Sequence, residues 1–273
     1  MGETILLVGC GKMGAALLGG WLDQGIKASD ITVIEPFAET AKAVAERHGV
    51  NVLADMSEFS ENPSPDTVVF AVKPQSMDDT VPAYARFTPE GGDTVFLSIA
   101  AGKTIAYFQG LLGTEAAIVR AMPNTPAAIG RGITVAVANA ATNDSQIKRC
   151  DGLLQAVGAV AWVDDEHLMD AVTAVSGSGP AYVFLLAECM ADAGIEAGLP
   201  ADLARQLARA TVSGAGELLH RSSQTAADLR TNVTSPGGTT AEALDVLMNE
   251  KGLRNLMTRA INAAARRSRE LAG

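Results

Sequence analysis

Over the first 164 positions, short runs of apolar and β-branched residues alternate with segments whose apolar residues recur every three or four positions. The runs are Thr4–Val8, Ile31–Ile34, Val50–Leu53, Thr67–Val72, Thr94–Ile99, Ile118–Ala121, Ile133–Ala138 and Val160–Val163, and each predicts a strand. Between them, the spacing of Ala15, Leu17, Leu18, Trp21 and Leu22 predicts a helix, as do the segments Glu39–Arg47 (closed by Gly49), Thr104–Leu112 and Ser145–Val157. Thr67–Val72 shows no polar alternation, as expected of a strand buried on both faces in a mostly parallel sheet; the later strands are open to either direction. Ser57–Asp66 is polar and reads as a loop.

After Asp164-Asp165 the strand pattern stops, and alanine-rich helical periodicity runs to the end. The expected division is 1–164 for an α/β domain and 165–273 for an all-helical one. The first helical stretch contains Ser176-Gly177-Ser178-Gly179-Pro180. An interior proline costs a helix about 3 kcal/mol, so a kink or break is expected there. Further helices are predicted over Asp202–Leu219, Thr225–Asn232, Thr240–Asn249 and from Leu253 to about Leu271.

The first strand runs into Gly9-Cys10-Gly11-Lys12-Met13-Gly14 and then a helix, the arrangement of a dinucleotide-binding turn. Its first glycine makes the turn, its second admits a pyrophosphate and its third packs helix on strand. Alone the motif is common. Its context strengthens it, because the second strand ends in Glu35, where an acid accepts hydrogen bonds from an adenine ribose. The fold class expected is therefore α/β: an N-terminal Rossmann-like dinucleotide-binding domain followed by a C-terminal all-helical dimerisation domain. Lys73 and Pro74 end one strand, Ala100-Ala101-Gly102 follow another, and Asn124 sits in a loop stiffened by Pro123 and Pro126; such carboxyl ends of strands are where ligands collect.

Composition narrows the choices. With 48% apolar and 19% charged residues the chain can build a sizeable core, and a net charge of −10 argues against nucleic acid or an anionic membrane as partner. No uncharged apolar run reaches the roughly 18 to 20 residues that span a bilayer, and Met1-Gly2-Glu3-Thr4 lack the basic start of an export signal, so the cytoplasm is expected. Cys10, Cys150 and Cys189 are odd in number and far apart, which fits packing roles and no cysteine-based metal site. His48, His167 and His220 are not spaced as ligands, and no metal is expected. The helical half has few aromatic residues and several apolar faces, which points to burial against a second copy.

One polar stretch has the composition of an anion seat. In Ser235-Pro236-Gly237-Gly238-Thr239-Thr240 the glycines admit a ligand to the backbone, and the threonines stand where a helix start exposes its N–H groups. An ordinary capped loop has the same pattern, since Ser or Thr followed by Glu242 also caps a helix.

Taken together, Gly9–Gly14, Ala71–Pro74, Ser98–Gly102, Met122–Pro126, Ser176–Tyr182 and Asn232–Leu244 occur in the order and spacing of pyrroline-5-carboxylate reductases, and the resemblance covers the whole chain. It is most specific over Asn232–Thr240 and Ser176–Tyr182. The resemblance implies reduction of the cyclic imine L-1-pyrroline-5-carboxylate to L-proline, the last step of proline biosynthesis, with NADPH or NADH as cofactor. It also implies helical domains interlocked as a homodimer that often assembles into a decamer. Carried over by position, Ser178, Ser235, Gly238, Thr239 and Thr240 hold the substrate, with backbone N–H groups on its carboxylate and the Thr240 hydroxyl, the catalytic candidate, near the ring nitrogen. Gly9, Gly11, Lys12, Met13, Gly14, Glu35, Val72, Lys73, Pro74, Ala100, Ala101 and Asn124 line the cofactor. Glu35 argues for NADH, and Pro36-Phe37 supplies no arginine for a 2′-phosphate, yet family members with similar strand ends use NADPH.

Two other readings are weighed against this one. β-Hydroxyacid dehydrogenases place a catalytic lysine four residues after the second glycine of a comparable GxG, and that position here is Val183. A nucleotide sensor without chemistry need not keep the Ser235–Thr240 stretch.

Overall fold

The computed structural model describes residues 3–59, 64–88 and 92–272; the middle of the expected polar loop, 60–63, lies outside them. Strands β1 (Ile5–Val8), β2 (Ile31–Ile34), β3 (Asn51–Leu53), β4 (Thr67–Phe70), β5 (Val95–Ser98), β6 (Ala117–Met122), β7 (Gly132–Ala138) and β8 (Gly158–Trp162) form one sheet in the order β3-β2-β1-β4-β5-β6-β7-β8. Every neighbouring pair from β3 to β6 is parallel, β7 runs antiparallel to β6, and β8 is parallel to β7. The reversal at β7 has a simple cause. Only residues 123–131 link β6 to β7, too few for the dozen or more residues of a parallel crossover.

Helices α1 (Lys12–Asp23), α2 (Ala38–His48), α3 (Met77–Thr80), α4 (Ile105–Leu112) and α5 (Asp144–Gln155) cover the sheet. Alternate residues of the central strands feed two cores: Leu7 packs with Leu17, Leu18 and Trp21 on one face, and Leu6 and Val8 pack with Phe70, Tyr84, Phe96 and Phe108 on the other. The buried Trp21 also donates its indole N–H to the Leu153 carbonyl at 2.9 Å, tying α1 to α5. Strand order reverses beside β1, whose Val8 faces Ile34 on one side and Phe70 on the other. Such a switch point opens a crevice at the carboxyl ends of the strands.

The chain continues through α6 (Met169–Val172), a π-helical turn over Thr173–Gly177, α7 (Gly179–Glu196), α8 (Ala201–Arg221), α9 (Ala226–Asn232), α10 (Thr239–Leu247) and α11 (Leu253–Ala272). The break expected around Ser176–Pro180 is this π turn; Pro180 falls in the first turn of α7, where no N–H is required of it. Two compact units result, Met1–Gly177 with Ala265–Gly273, and Ser178–Ala264. In the helical unit α7 packs on α8 through small residues, Gly194 lying against Ala204. Among the described residues, Glu166–Glu196 is the one helical stretch long and apolar enough to cross a bilayer by length and composition. Among its exposed large apolar side chains are Val183, Phe184, Leu185 and Leu186.

Candidate cofactor and substrate sites

The three glycines of the first turn each meet a different constraint. Gly9 has φ +89°, and a Cβ built there would lie 2.7 Å from the Val72 side chain. At Gly14 a Cβ would lie 2.4 Å from the Gly9 carbonyl oxygen, so the third glycine lets α1 close onto its own loop. Gly11 differs, because no described atom comes within 4 Å of a Cβ placed on it. The fold itself does not require a glycine at that position, whereas a pyrophosphate approaching the backbone does. Gly11 is also the N-cap of α1, with no side-chain hydrogen bond to cap it, so among the described residues the N–H groups of Lys12 and Met13 have no partner at the positive end of the helix. These features fit a dinucleotide phosphate.

Glu35 is buried, and it is already engaged. One carboxylate oxygen accepts the Cys10 N–H at 2.9 Å and the other accepts the Phe37 N–H at 3.1 Å. The acid expected to face a ribose thus also clasps the glycine turn to the end of β2, and both bonds delocalise its charge into backbone dipoles. Burial, and next the nearby Glu35 carboxylate, push the Cys10 thiol up to about 11, as suits an inert packing residue. Cys150 is buried likewise, but Cys189 on α7 is exposed in the single chain, contrary to the packing role expected of it.

A cleft of about 520 Å³ opens beside this turn. Of the expected cofactor residues, Gly9, Gly11, Glu35, Val72 and Lys73 line it. Pro74 begins a 3-10 turn just beyond, and Lys73 is exposed. The cleft's other wall comes from residues to which sequence reasoning gave no role: Phe37, Thr40, Asp55, Ser76, Asp79 and Tyr84 among them. The segment 74–88 lies between two predicted strands. A helical signal was present in Met77, Val81 and Tyr84, all buried at i, i+4 and i+7, but Pro74 and Pro82 masked it.

Farther along the sheet edge, Ala100 and Ala101 follow β5, and Gly102 turns the chain with φ +74°. Asn124, after β6, is nearly buried and uses its carboxamide within the protein: Nδ2 donates to the Ser176 carbonyl at 3.2 Å, and Oδ1 accepts the Ile133 N–H at 3.0 Å. It therefore braces the β6–β7 loop against the π turn. Nearby, the buried Arg120 donates to Glu166 at 2.8 Å, and the same carboxylate oxygen accepts the Ile105 N–H at the start of α4.

In the helical unit, α10 begins where the anion seat was expected. Gly237 adopts φ +66°, and Gly238 is the N-cap with no side-chain cap. A Cβ on Gly238 would lie 2.5 Å from the Ser235 hydroxyl, so a side chain there would have to turn that hydroxyl aside. Gly238 donates its N–H to the Ser235 carbonyl, and its own carbonyl accepts from Ala241 and Glu242. Among the described residues the N–H groups of Thr239 and Thr240 find no partner, which is what a helix start offers an anion. The ordinary cap is thus set aside: neither Ser235 nor a threonine closes this helix end. Thr240 is half-buried, Ser235 and Thr239 are exposed, and Ser178 is half-buried at the N-cap of α7.

A family model described as pyrroline-5-carboxylate reductase dimerisation matches residues 166–271, and one described as NADP oxidoreductase, coenzyme F420-dependent, matches residues 4–102. The pyrroline-5-carboxylate reductase of Pseudomonas aeruginosa is 41% identical over 269 residues, which covers 98% of this chain and 96% of that protein. The solved structure of a pyrroline-5-carboxylate reductase from Coxiella burnetii superposes with a TM-score of 0.93 at 33% identity over 100% of both chains. That of a Plasmodium falciparum pyrroline carboxylate reductase with NADP bound has a TM-score of 0.81 at 28% identity, covering 99% of this chain and 98% of that one. With the glycine turn, the sheet switch point and the α10 helix start in place, the chain belongs to the pyrroline-5-carboxylate reductase family and is a nicotinamide-dependent oxidoreductase that reduces pyrroline-5-carboxylate to proline.

Proposed function

We propose that the start of α10 binds the carboxylate of the cyclic imine and that Thr240 acts on its ring nitrogen. The observation carrying this reading is the pair of N–H groups on Thr239 and Thr240 that have no partner among the described residues, at the end of a loop turned by Gly237 at φ +66°. Reducing a C=N bond adds a hydride to carbon and a proton to nitrogen. The Gly9–Gly14 turn would hold the phosphates of a nicotinamide dinucleotide and Ala100 and Ala101 would line its nicotinamide end, and the group would supply the hydride. The imine nitrogen is basic enough to be protonated readily, so the protein's task is to position it and hydrogen-bond it rather than to provide a strong acid. The Thr240 hydroxyl serves that need, Ser178 and Ser235 complete the polar lining, and Asn124 acts on the cofactor side through the loop it braces.

Thr240→Ala is expected to lower kcat/KM for the imine by roughly ten- to hundredfold, as for loss of one positioned hydrogen-bonding group, while Thr240→Ser keeps most of it. The assay is oxidation of the reduced nicotinamide that depends on added pyrroline-5-carboxylate. Normal constants in Thr240→Ala would remove the assignment.

Both NADH and NADPH are accepted in this reading. Glu35 is turned onto two backbone N–H groups, which softens its repulsion of a 2′-phosphate, and no arginine in Pro36-Phe37 selects for one. In Glu35→Gln the amide would place a donor against a backbone donor, so both cofactors should weaken together, by about three- to tenfold. A wild-type preference beyond roughly hundredfold, or a switch of preference in Glu35→Gln, would contradict this. The helices from residue 165 onward form the substrate and dimerisation domain and residues 1–164 the cofactor domain; the working assembly is a homodimer in the cytoplasm, which can build a decamer.

A further inference from the structure

The last turns of the chain return to the sheet-containing unit and pack beside the loop that follows β5. Ala265 and Ser268, three positions apart on one face of α11, are buried. The Ser268 hydroxyl donates to Asp170 on α6 at 2.6 Å. One turn further on, the Leu271 backbone lies against Gly102: a Cβ built on Gly102 would be 3.3 Å from the Leu271 carbonyl oxygen and 3.5 Å from its Cβ. Gly102 is buried and holds φ +74°, so this contact touches the point where the Ala100–Gly102 loop turns. Within this loop the Ala100 N–H donates to the Ser98 hydroxyl at 3.3 Å.

We infer that the C-terminal turn of α11 is a strap that positions the Ala100–Gly102 loop for the cofactor, with Ser268 as its anchoring residue and Leu271 as the contact. The inference rests on the reading of that loop as part of the cofactor site. Ser268 and Leu271 are positioning residues, since they act through the loop.

The hydrogen bond to Asp170 fixes where the helix ends, and the helix end fixes how far Gly102 can move. Losing either releases the loop without touching the glycine turn at Gly9–Gly14 or the helix start at Thr239. The cofactor should therefore bind more weakly while the imine is held as before.

The test measures dissociation constants for NADH and NADPH by fluorescence titration, alongside KM for the imine, in Ser268→Ala, Ser268→Thr, a chain truncated after Arg269, and Ala101→Leu. Ser268→Ala and the truncation should each raise both cofactor constants about three- to tenfold, the scale of one buried hydrogen bond or one packed contact, with KM for the imine within about twofold. Ser268→Thr, which keeps the hydroxyl, should restore wild-type affinity. Unchanged cofactor affinity in both Ser268→Ala and the truncation overturns the strap, as does an equal loss of affinity for the imine. Ala101→Leu separates the two ideas. If it weakens the cofactor while the strap variants do not, the loop reading stands and the strap falls; if it leaves the cofactor unaffected, the loop is no part of the site and the strap falls with it.

Discussion

The two units of this chain solve the problem of apolar surface in opposite ways. Every one of the largest fully buried side chains, Trp21, Tyr84, Phe70 and Phe96 among them, belongs to the sheet-containing unit. Among the described residues of 178–264 the buried apolar ones are Ala191, Ala204 and Ala208, while Phe184, Leu185, Val246 and Leu256 are more than half exposed. Helices that meet through alanine and glycine approach closely but bury little area, and area is what stabilises. The sheet unit thus carries its own core, and the helical unit leaves its larger side chains for a partner, in keeping with the dimerisation model that matches 166–271.

The sharpest way to separate the two is to remove one aromatic from each. Trp21→Ala should cost about 3–5 kcal/mol in urea unfolding followed by circular dichroism, and more if the Leu153 carbonyl is left unsatisfied. A loss below about 1 kcal/mol would mean that the sheet unit does not depend on its core in this way. Phe184→Asp should leave that unfolding free energy nearly unchanged at high dilution. It should instead weaken self-association by roughly thirtyfold or more, read by sedimentation over a concentration series. If the oligomer persists unchanged, the exposed face of α7 is not the contact.

The smallest effect concerns pH. In the sheet unit the buried Cys10 holds its proton more tightly than an ordinary thiol, its value raised from 9.0 to about 11. The folded state therefore binds that proton better than the unfolded chain does. Its contribution is fully present below about 9 and is lost as pH rises through about 11. Unfolding curves of Cys10→Ala should accordingly decline less steeply with pH across that window than those of the wild type. Parallel slopes would show that the thiol does not report on the core.

Much of this was legible in the sequence, and the exceptions have physical reasons. The strands were visible as short apolar and β-branched runs, unbroken where both faces are buried, as in Thr67–Phe70. The direction of β7 was not, since direction depends on whether the connecting loop can hold a crossover, and the runs themselves look alike either way. The wall formed by residues 74–88 was missed because prolines and 3-10 geometry break up the 3.6-residue period that Met77, Val81 and Tyr84 otherwise follow. The glycine turn and the Ser235–Thr240 loop stood out in the sequence because tight turns such as those at Gly9 and Gly237 favour glycine at fixed positions. The side-chain partners of Glu35 and Asn124 were not readable, because a sequence shows a polar group but not the backbone groups, such as those of Cys10 and Ser176, that reach it only after folding. The return of Ser268 to Asp170 spans 98 residues and has no local signal.

The empty surroundings of Gly11 have a consequence for how variation in this protein would be judged. Gly9 and Gly14 are fixed by their own neighbours, so replacing either would register in any screen for folding or solubility. A side chain at Gly11 meets no described atom, and a variant there would express, fold and melt like the parent. If Gly11 admits the dinucleotide as proposed, the defect would surface only when the cofactor is offered, so catalogues of harmful substitutions built on stability alone would record it as benign.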